Sequence, residues 1–257
     1  MNGESALGWV GRHVLGFTSE VGALLLLLLR VARAPFSRTF EWKELLRQTR
    51  AFGVESLVVL GSTAALVGGI LVIQAGLYVR RLGVQELVGW AAGFGILRDV
   101  GPLVAGLVFS GRVGSRNAAE LASMATRDQL LGLRAVGVDS VTTLVAPRAH
   151  AMVVSLVALY FIGSVISIAT AGGTAAALLH IGWPDFWRSF VERTRLADLA
   201  SGTLKSVLFA MAVALISCHE GLSVSGGAVA VGEAAKKSVV TSALVIVILD
   251  LVAAQVF

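Results

Sequence analysis

An all-α polytopic membrane protein is the fold that this sequence predicts, and three observations predict it. Of the 257 residues, 56% are hydrophobic and only 14% charged, against about a quarter charged in a typical soluble domain. Uncharged or nearly uncharged runs of the length a helix needs to cross the hydrocarbon core recur along the chain. Lys and Arg collect in alternate connecting segments rather than evenly. The same composition leaves no room for a large soluble domain, so one domain is expected over residues 1–257.

The N-terminal run Val21–Leu29 is short for a span, even when extended back to Val14 through Glu20. A signal peptide is the competing reading, since Ala32-Arg33-Ala34 mimics a cleavage motif. Arg30 and Arg33 stand where small neutral residues belong, however. A helix lying at the membrane surface or half inserted is expected. The basic segment that follows carries Arg30, Arg33, Arg38, Lys43, Arg47 and Arg50 against Glu41 and Glu44, and completes a unit over residues 1–50. Its place between apolar runs favours a juxtamembrane role over nucleic-acid binding.

Five spans are expected: Val54–Val79, Leu87–Gly111, Ala149–Gly172, Leu199–Cys218 and Ser238–Phe257. Spans one and two occupy 54–111, an amphipathic connection occupies 112–148, and spans three to five occupy 149–257. With residues 30–50 in the cytoplasm, alternation puts 13 Lys/Arg on the cytoplasmic side and 5 outside. This gives a cytoplasmic N-terminus and an external C-terminus. The lone Cys218 excludes an internal disulfide and reads as a small buried hydrophobe.

The second span carries the chemistry. Arg98 and Asp99 lie mid-membrane beside Gly101 and Pro102, where charge is costly, so the pair reads either as part of a functional polar site or as a structural intramembrane ion pair. A broken or kinked helix around a polar site is expected, with carbonyls freed at Pro102. On the first span Leu71, Gln74, Tyr78 and Leu82 share one helical face. That face is either ordinary interhelical packing or the wall of an apolar cavity with two polar groups. Arg112 and Arg116 mark the cytoplasmic exit, where Glu120 can pair with them. Asp250 lies within the last span with no evident chain of ionisable partners, so it reads as an anchor rather than a proton carrier.

Several activities have no support. There is no P-loop, and His13, His150, His180 and His219 are scattered without metal-ligand spacing. No nucleophile with a recognisable base is present, so neither an enzyme site nor a cofactor is expected. The stretch around Arg127–Arg134 places Leu130, Leu133 and Val136 at helical spacing on one side. Periodicity alone leaves a surface connection and a docking helix equally open.

The order of short motifs is more specific. Leu97-Arg98-Asp99-Val100-Gly101-Pro102, Ser110-Gly111-Arg112-Val113-Gly114-Ser115, Ala119-Glu120-Leu121, Asp128-Gln129, Val138-Asp139 and Pro147-Arg148 follow one another. Gln74, Lys205-Ser206-Val207 and Leu249-Asp250 extend the pattern along the chain. Together these resemble the MlaE-type permease family of ABC transporters. The resemblance implies a homodimer in a bacterial inner membrane, a cytosolic ABC ATPase dimer as partner, an MCE-domain protein on the outer side, and a membrane lipid as substrate. It implies that Ala125–Gly137, with Arg127, Asp128, Gln129, Leu130, Leu133 and Arg134, is the helix that couples to the ATPase. It also implies that Arg98 and Asp99 face a lipid cavity. The chain departs from the family pattern at Asp99 and Asp128, each in place of Glu, at Arg127 in place of Thr, at Arg134 where an acid is common, and at Ser140 in place of Pro. Two other readings stay open: a membrane anchor for an MCE protein that moves nothing, and a proton-coupled transporter using Asp99 and Asp250.

Overall fold

A computed structural model describes residue 18 and residues 22–36, 41–83 and 87–256 of the chain, without the side chains of Phe36, Arg80, Leu82, Arg134 and Val256. His13, Glu20, Val21, Arg38 and Phe257 lie outside the described residues. Every regular element among the described residues is helical. Helix α1 covers 22–33 and runs into a 3-10 turn at Ala34–Phe36. Then come α2 (Trp42–Leu82), α3 (Val88–Thr126), α4 (Gln129–Ala135), α5 (Val141–Leu179), α6 (Trp183–Arg193), α7 (Leu196–Leu222) and α8 (Ala228–Val256). Five of them, α2, α3, α5, α7 and α8, are long and apolar enough to cross a membrane. Each runs antiparallel to the next, so one end of the bundle carries α6 and the other carries α4.

The five expected spans are all present as helices, but the helices run well past them. At 1.5 Å per residue the 41 residues of α2 reach about 60 Å, roughly twice the hydrocarbon thickness. The charged additions are the flanks 42–53, 112–126, 141–148 and 228–237, where hydropathy falls but helical propensity does not.

Helices α2 and α5 pack along most of their length through small residues. Ser167 Oγ donates to the Ala64 carbonyl at 2.6 Å, Thr170 Oγ1 to that of Ala65 at 3.0 Å, and Ser155 Oγ to that of Thr49 at 3.2 Å. A Cβ on Gly68 would overlap the Ser167 carbonyl. In lipid, where apolar burial alone gives little drive to associate, close backbone approach and interhelical hydrogen bonds hold such a pair. The main core joins α2, α3, α5, α7 and α8 around Phe52, Phe109, Leu156, Phe209 and Ile246, with Val31 and Ala34 of the first segment packed onto it. A second cluster at the α6 end gathers Val72, Val79, Ile96, Leu179 and Phe186. Cys218 is wholly buried in the main core.

The second span is not broken. It passes through π turns at Gly95–Asp99 and Ser110–Gly114 and stays helical between them. At the first, Val100 N–H donates to Gly95 O, five residues back, and Asp99 leaves the helical region at φ −120°, ψ −73°. Two steps on, that ladder needs a donor from Pro102, which has no N–H. The Leu97 carbonyl accepts the Tyr160 hydroxyl instead, at 2.7 Å. The expected interruption at Gly101 and Pro102 is thus absorbed by a wide turn whose orphaned acceptor a neighbouring helix satisfies.

Asp139 caps the start of α5. Its carboxylate accepts the Thr142 hydroxyl at 2.7 Å and the Val141 N–H at 3.2 Å. These bonds, the Thr142 one foremost, hold its pKa below the usual carboxylate value. Folding lowers this pKa, so the cap's contribution is complete above the ordinary carboxylate range and disappears as pH falls through the depressed value. Asp139→Ala is expected to cost about 0.5–1 kcal/mol, the lower part of the range for a lost cap because the group is exposed. Thermal unfolding of the detergent-solubilised protein should show the difference at pH 7 and its decline as pH falls through the depressed carboxylate value. Gly68→Leu should weaken the α2–α5 contact by about 1–3 kcal/mol, the cost of overpacking, seen as a lower unfolding temperature with membrane insertion retained.

Candidate functional site

The π turn of α3 sends its two charges in different directions. Arg98 Nη1 reaches Asp198 of α7 at 3.3 Å, and its guanidinium lies 5.1 Å from the centre of the Phe94 ring. The second oxygen of Asp198 accepts the Arg195 N–H at 3.0 Å and so caps α7 while holding Arg98. Asp99 turns inward, and its Oδ1 lies 2.9 Å from Lys205 Nζ of α7. The same ammonium lies 2.9 Å from Asp250 Oδ1 of α8. Lys205 is only 1% exposed, whereas Asp99 is about half exposed.

Lys205 enters the sequence pattern only as a motif letter with no role assigned, and its two ion pairs change the account of Asp250. That carboxylate is not isolated: Lys205 links it to Asp99. The signal was a lone lysine nine residues inside α7, too deep to snorkel to the helix end and therefore in need of partners. Nearby, Gly202 is the position that lets α7 close on the π turn, since a Cβ there would overlap both the Leu97 carbonyl and the Tyr160 hydroxyl.

Of the face expected on α2, Leu71 lies next to Gly95 of the π turn, while Gln74 and Tyr78 point out of the protomer. The side chain of Leu82 is outside the described residues. Pro102 is buried. The void between α2, α3 and α5, lined by Gly101, Tyr160 and Ser164, measures about 20 Å³, room for one water. The larger opening, about 650 Å³, is a cleft at the α6 end between α3, α6 and α7, with Arg98 in its wall. The enclosed void beside the π turn is thus far smaller than a lipid, and the larger space reached by Arg98 is an open cleft.

A second charged cluster lies toward the α4 end. Arg116 Nε donates to Glu120 Oε1 at 2.8 Å, and its Nη1 pairs with Glu55 of α2. The buried Arg148 of α5 reaches Glu120 Oε2 at 3.1 Å and Asn117 Oδ1 at 3.4 Å. Asn117 Nδ2 donates in turn to Ser217 Oγ of α7 at 2.9 Å. Glu120 thus organises Arg116 as the sequence suggests, but its other partner is Arg148; Arg112 is exposed.

The coupling segment differs from the continuous helix expected over Ala125–Gly137. A turn at Arg127–Asp128 divides it, with Asp128 at φ 58°, and Gly137 ends it at φ 76°. Asp enters the left-handed region more readily than most residues. Helix α4 then turns Leu130 inward at 8% exposure and leaves Leu131 at 59% and Val136 at 74%. Leu130, Leu133 and Val136 therefore do not form one outward stripe. Arg127, Asp128 and Gln129 are exposed beside Leu131, and the side chain of Arg134 is outside the described residues.

Comparison with known proteins places this arrangement. The profile of the family described as Permease MlaE matches residues 45–256. The chain belongs to the MlaE permease family. It is 29% identical to a probable ABC transporter permease protein of Rickettsia typhi, over 93% of this chain and 92% of that protein. It is 33% identical to a probable ABC transporter permease protein of a Synechocystis strain, over 79% and 77%. It is 26% identical to the intermembrane phospholipid transport system permease protein MlaE of Haemophilus influenzae, over 95% and 94%. The relatives are named as permease proteins, so the charged clusters belong to a multi-pass membrane permease of the MlaE family and not to an enzyme site.

Lys205→Met would leave Asp99 and Asp250 facing each other without a cation. It should cost about 3 kcal/mol, the lower end for breaking a buried pair from one side, read from detergent-solubilised unfolding. Adding Asp250→Asn should return much of that loss. Gly202→Val should destabilise comparably by forcing α7 off the π turn.

Proposed function

We propose that the protein is the transmembrane subunit of an ABC transporter that moves phospholipid or a related lipid across a bacterial cell envelope, driven by a partner ATPase. The observation that carries this reading is the polar turn of α3 inside an apolar bundle. Arg98 and Asp99 sit on one π turn, each tied to a different site on α7, and both are open on one side. Relatives named as ABC transporter permeases, and one named as part of an intermembrane phospholipid transport system, support it. No ATP-binding motif stands in this chain, so hydrolysis falls to a separate cytosolic ATPase dimer.

A homodimer supplies what one protomer lacks. The exposed α2 face with Gln74 and Tyr78, next to Leu71, joins Arg98 and Asp99 around an apolar compartment shared by two copies, with Pro102 buried behind their turn. Acyl chains lie on the apolar face. Arg98 meets the headgroup phosphate, which its guanidinium fork matches. Asp99 and Asp250 set the position of Lys205 and hold α3, α7 and α8 in register. Arg112, Arg116 and Glu120 form the cytoplasmic gate. Arg127, Asp128 and Gln129, with Leu131 and Val136 of α4, dock on the ATPase, and Leu130 and Leu133 anchor α4 to the permease. In this arrangement the N-terminus and α4 are cytoplasmic. The α6 end, with the C-terminus, is periplasmic and meets an MCE-domain protein.

Reconstituted with its ATPase, the permease should transfer lipid in an ATP-dependent manner. Arg98→Ala with Asp99→Ala should reduce that transfer at least about tenfold while ATPase binding persists. Undiminished transfer in the double variant would remove the compartment assignment. Transfer that follows a pH gradient without ATPase would favour coupling through Asp99, Lys205 and Asp250 instead. Association of permease and MCE protein with no transfer under any condition would leave an anchor. Leu131→Glu with Val136→Glu should release the ATPase in a pull-down of the inserted protein, whereas Leu130→Glu should first destabilise α4.

A further inference from the structure

The cleft at the α6 end has a charge pattern that lipid transport in general does not require. Its α3 wall is a strip, Trp90, Phe94 and Arg98, at i, i+4 and i+8. Arg193 and Arg195, from the end of α6 and the start of α7, form the opposite side. Both carboxylates of the cleft are already engaged. Asp198 holds Arg98 and the Arg195 N–H, and Glu192 accepts from Arg188, which lies outside the cleft. Arg193 and Arg195 are exposed, and among the described residues neither guanidinium has a carboxylate partner. The volume of about 650 Å³ therefore carries two uncompensated positive charges at its mouth, an aromatic strip down one wall and a third arginine below.

We propose that this cleft binds a net-anionic phosphodiester headgroup, with Arg193 and Arg195 taking the phosphate first and Arg98 receiving it deeper along the aromatic strip. Guanidinium forks match phosphate oxygens in pairs. Trp90 and Phe94 give the glycerol and upper acyl segments an apolar surface. The depth fits. Trp183 and Trp187 are half exposed on the adjoining α6, and tryptophan settles at the membrane–water interface where headgroups lie. The two mouth arginines have no carboxylate left for a ligand ammonium, so an anionic headgroup gains more than a zwitterionic one. The proposal rests on the transport reading only in naming a lipid as the source of the phosphate.

The test uses the full-length chain in a neutral detergent without any ATPase, so its result is independent of the transfer assay. Calorimetric titration compares dihexanoyl phosphatidylglycerol, dihexanoyl phosphatidylcholine, dihexanoylglycerol and glycerol 3-phosphate. Phosphatidylglycerol should bind at least about tenfold more tightly than phosphatidylcholine or the uncharged diacylglycerol, and the gap should narrow as salt rises. Arg193→Gln with Arg195→Gln should erase the gap, Arg193→Lys with Arg195→Lys should restore most of it, and the control Lys236→Gln with Lys237→Gln, which removes the same two charges at the far end, should leave it intact. Glycerol 3-phosphate binding as tightly as phosphatidylglycerol would keep the phosphate site and make its source a soluble ester. Equal binding of phosphatidylglycerol and phosphatidylcholine would overturn the anionic preference. Equal binding of the diacylglycerol, or a gap unchanged in the glutamine variant, would overturn the site. Absence of the gap in the unsubstituted protein, with ATP-driven transfer intact, would sink this proposal alone.

Discussion

An ammonium group sealed from water inside a membrane bundle has to be neutralised where it stands, because the desolvation of an unpaired charge outweighs what the surrounding packing contributes. Lys205 meets that requirement with two carboxylates, Asp99 from α3 and Asp250 from α8, each at 2.9 Å. Three helices are thereby fixed at one height. Other features of the α6 half follow from that constraint. Asp99 reaches Lys205 from a residue that has left helical geometry at the π turn. The turn leaves the Leu97 carbonyl without a main-chain donor, and Tyr160 of α5 supplies one. Gly202 allows α7 close enough for both contacts.

The two charged clusters divide the bundle's labour. Near the α6 end, the pairs Arg98–Asp198 and Asp99–Lys205–Asp250 tie α3 to α7 and α8 and stand beside an open cleft. Toward the α4 end, Glu55, Arg116, Asn117, Glu120 and Arg148 tie α3 to α2 and α5. Helix α3 is the member common to both, and its two π turns lie between or beside them. Helix α4 follows α3 after one turn, so a single helix joins it to the cluster near the α6 end. The Asp128 and Gly137 backbones, both at positive φ, set α4 off as a short separate element rather than a continuation of that helix.

Much of this was legible beforehand. The five apolar spans, the burial of Cys218 and the family follow from hydropathy and from an ordered series of motifs, and the place of Arg98 and Asp99 at an irregular turn of the second span follows from the neighbouring glycine and proline. Helix ends were not legible, because a charged helical flank and a charged loop have the same composition. Nor was the inward turn of Leu130. A seven-residue helix has two apolar sides here, and only its packing against the bundle selects which one is buried.

The sequence by itself determined that this is a multi-pass membrane protein, which five runs are long and apolar enough to cross, and that charge is kept within the second of them. Those are properties of residues one at a time or of neighbours along a helix. Only the tertiary structure decided which opposite charges meet. Asp99 and Lys205 are 106 residues apart, Arg98 and Asp198 100. No periodicity within one helix records the rotation of another, and a proline that sequence reading takes as a break becomes a wide turn once a distant tyrosine can satisfy the carbonyl it leaves open.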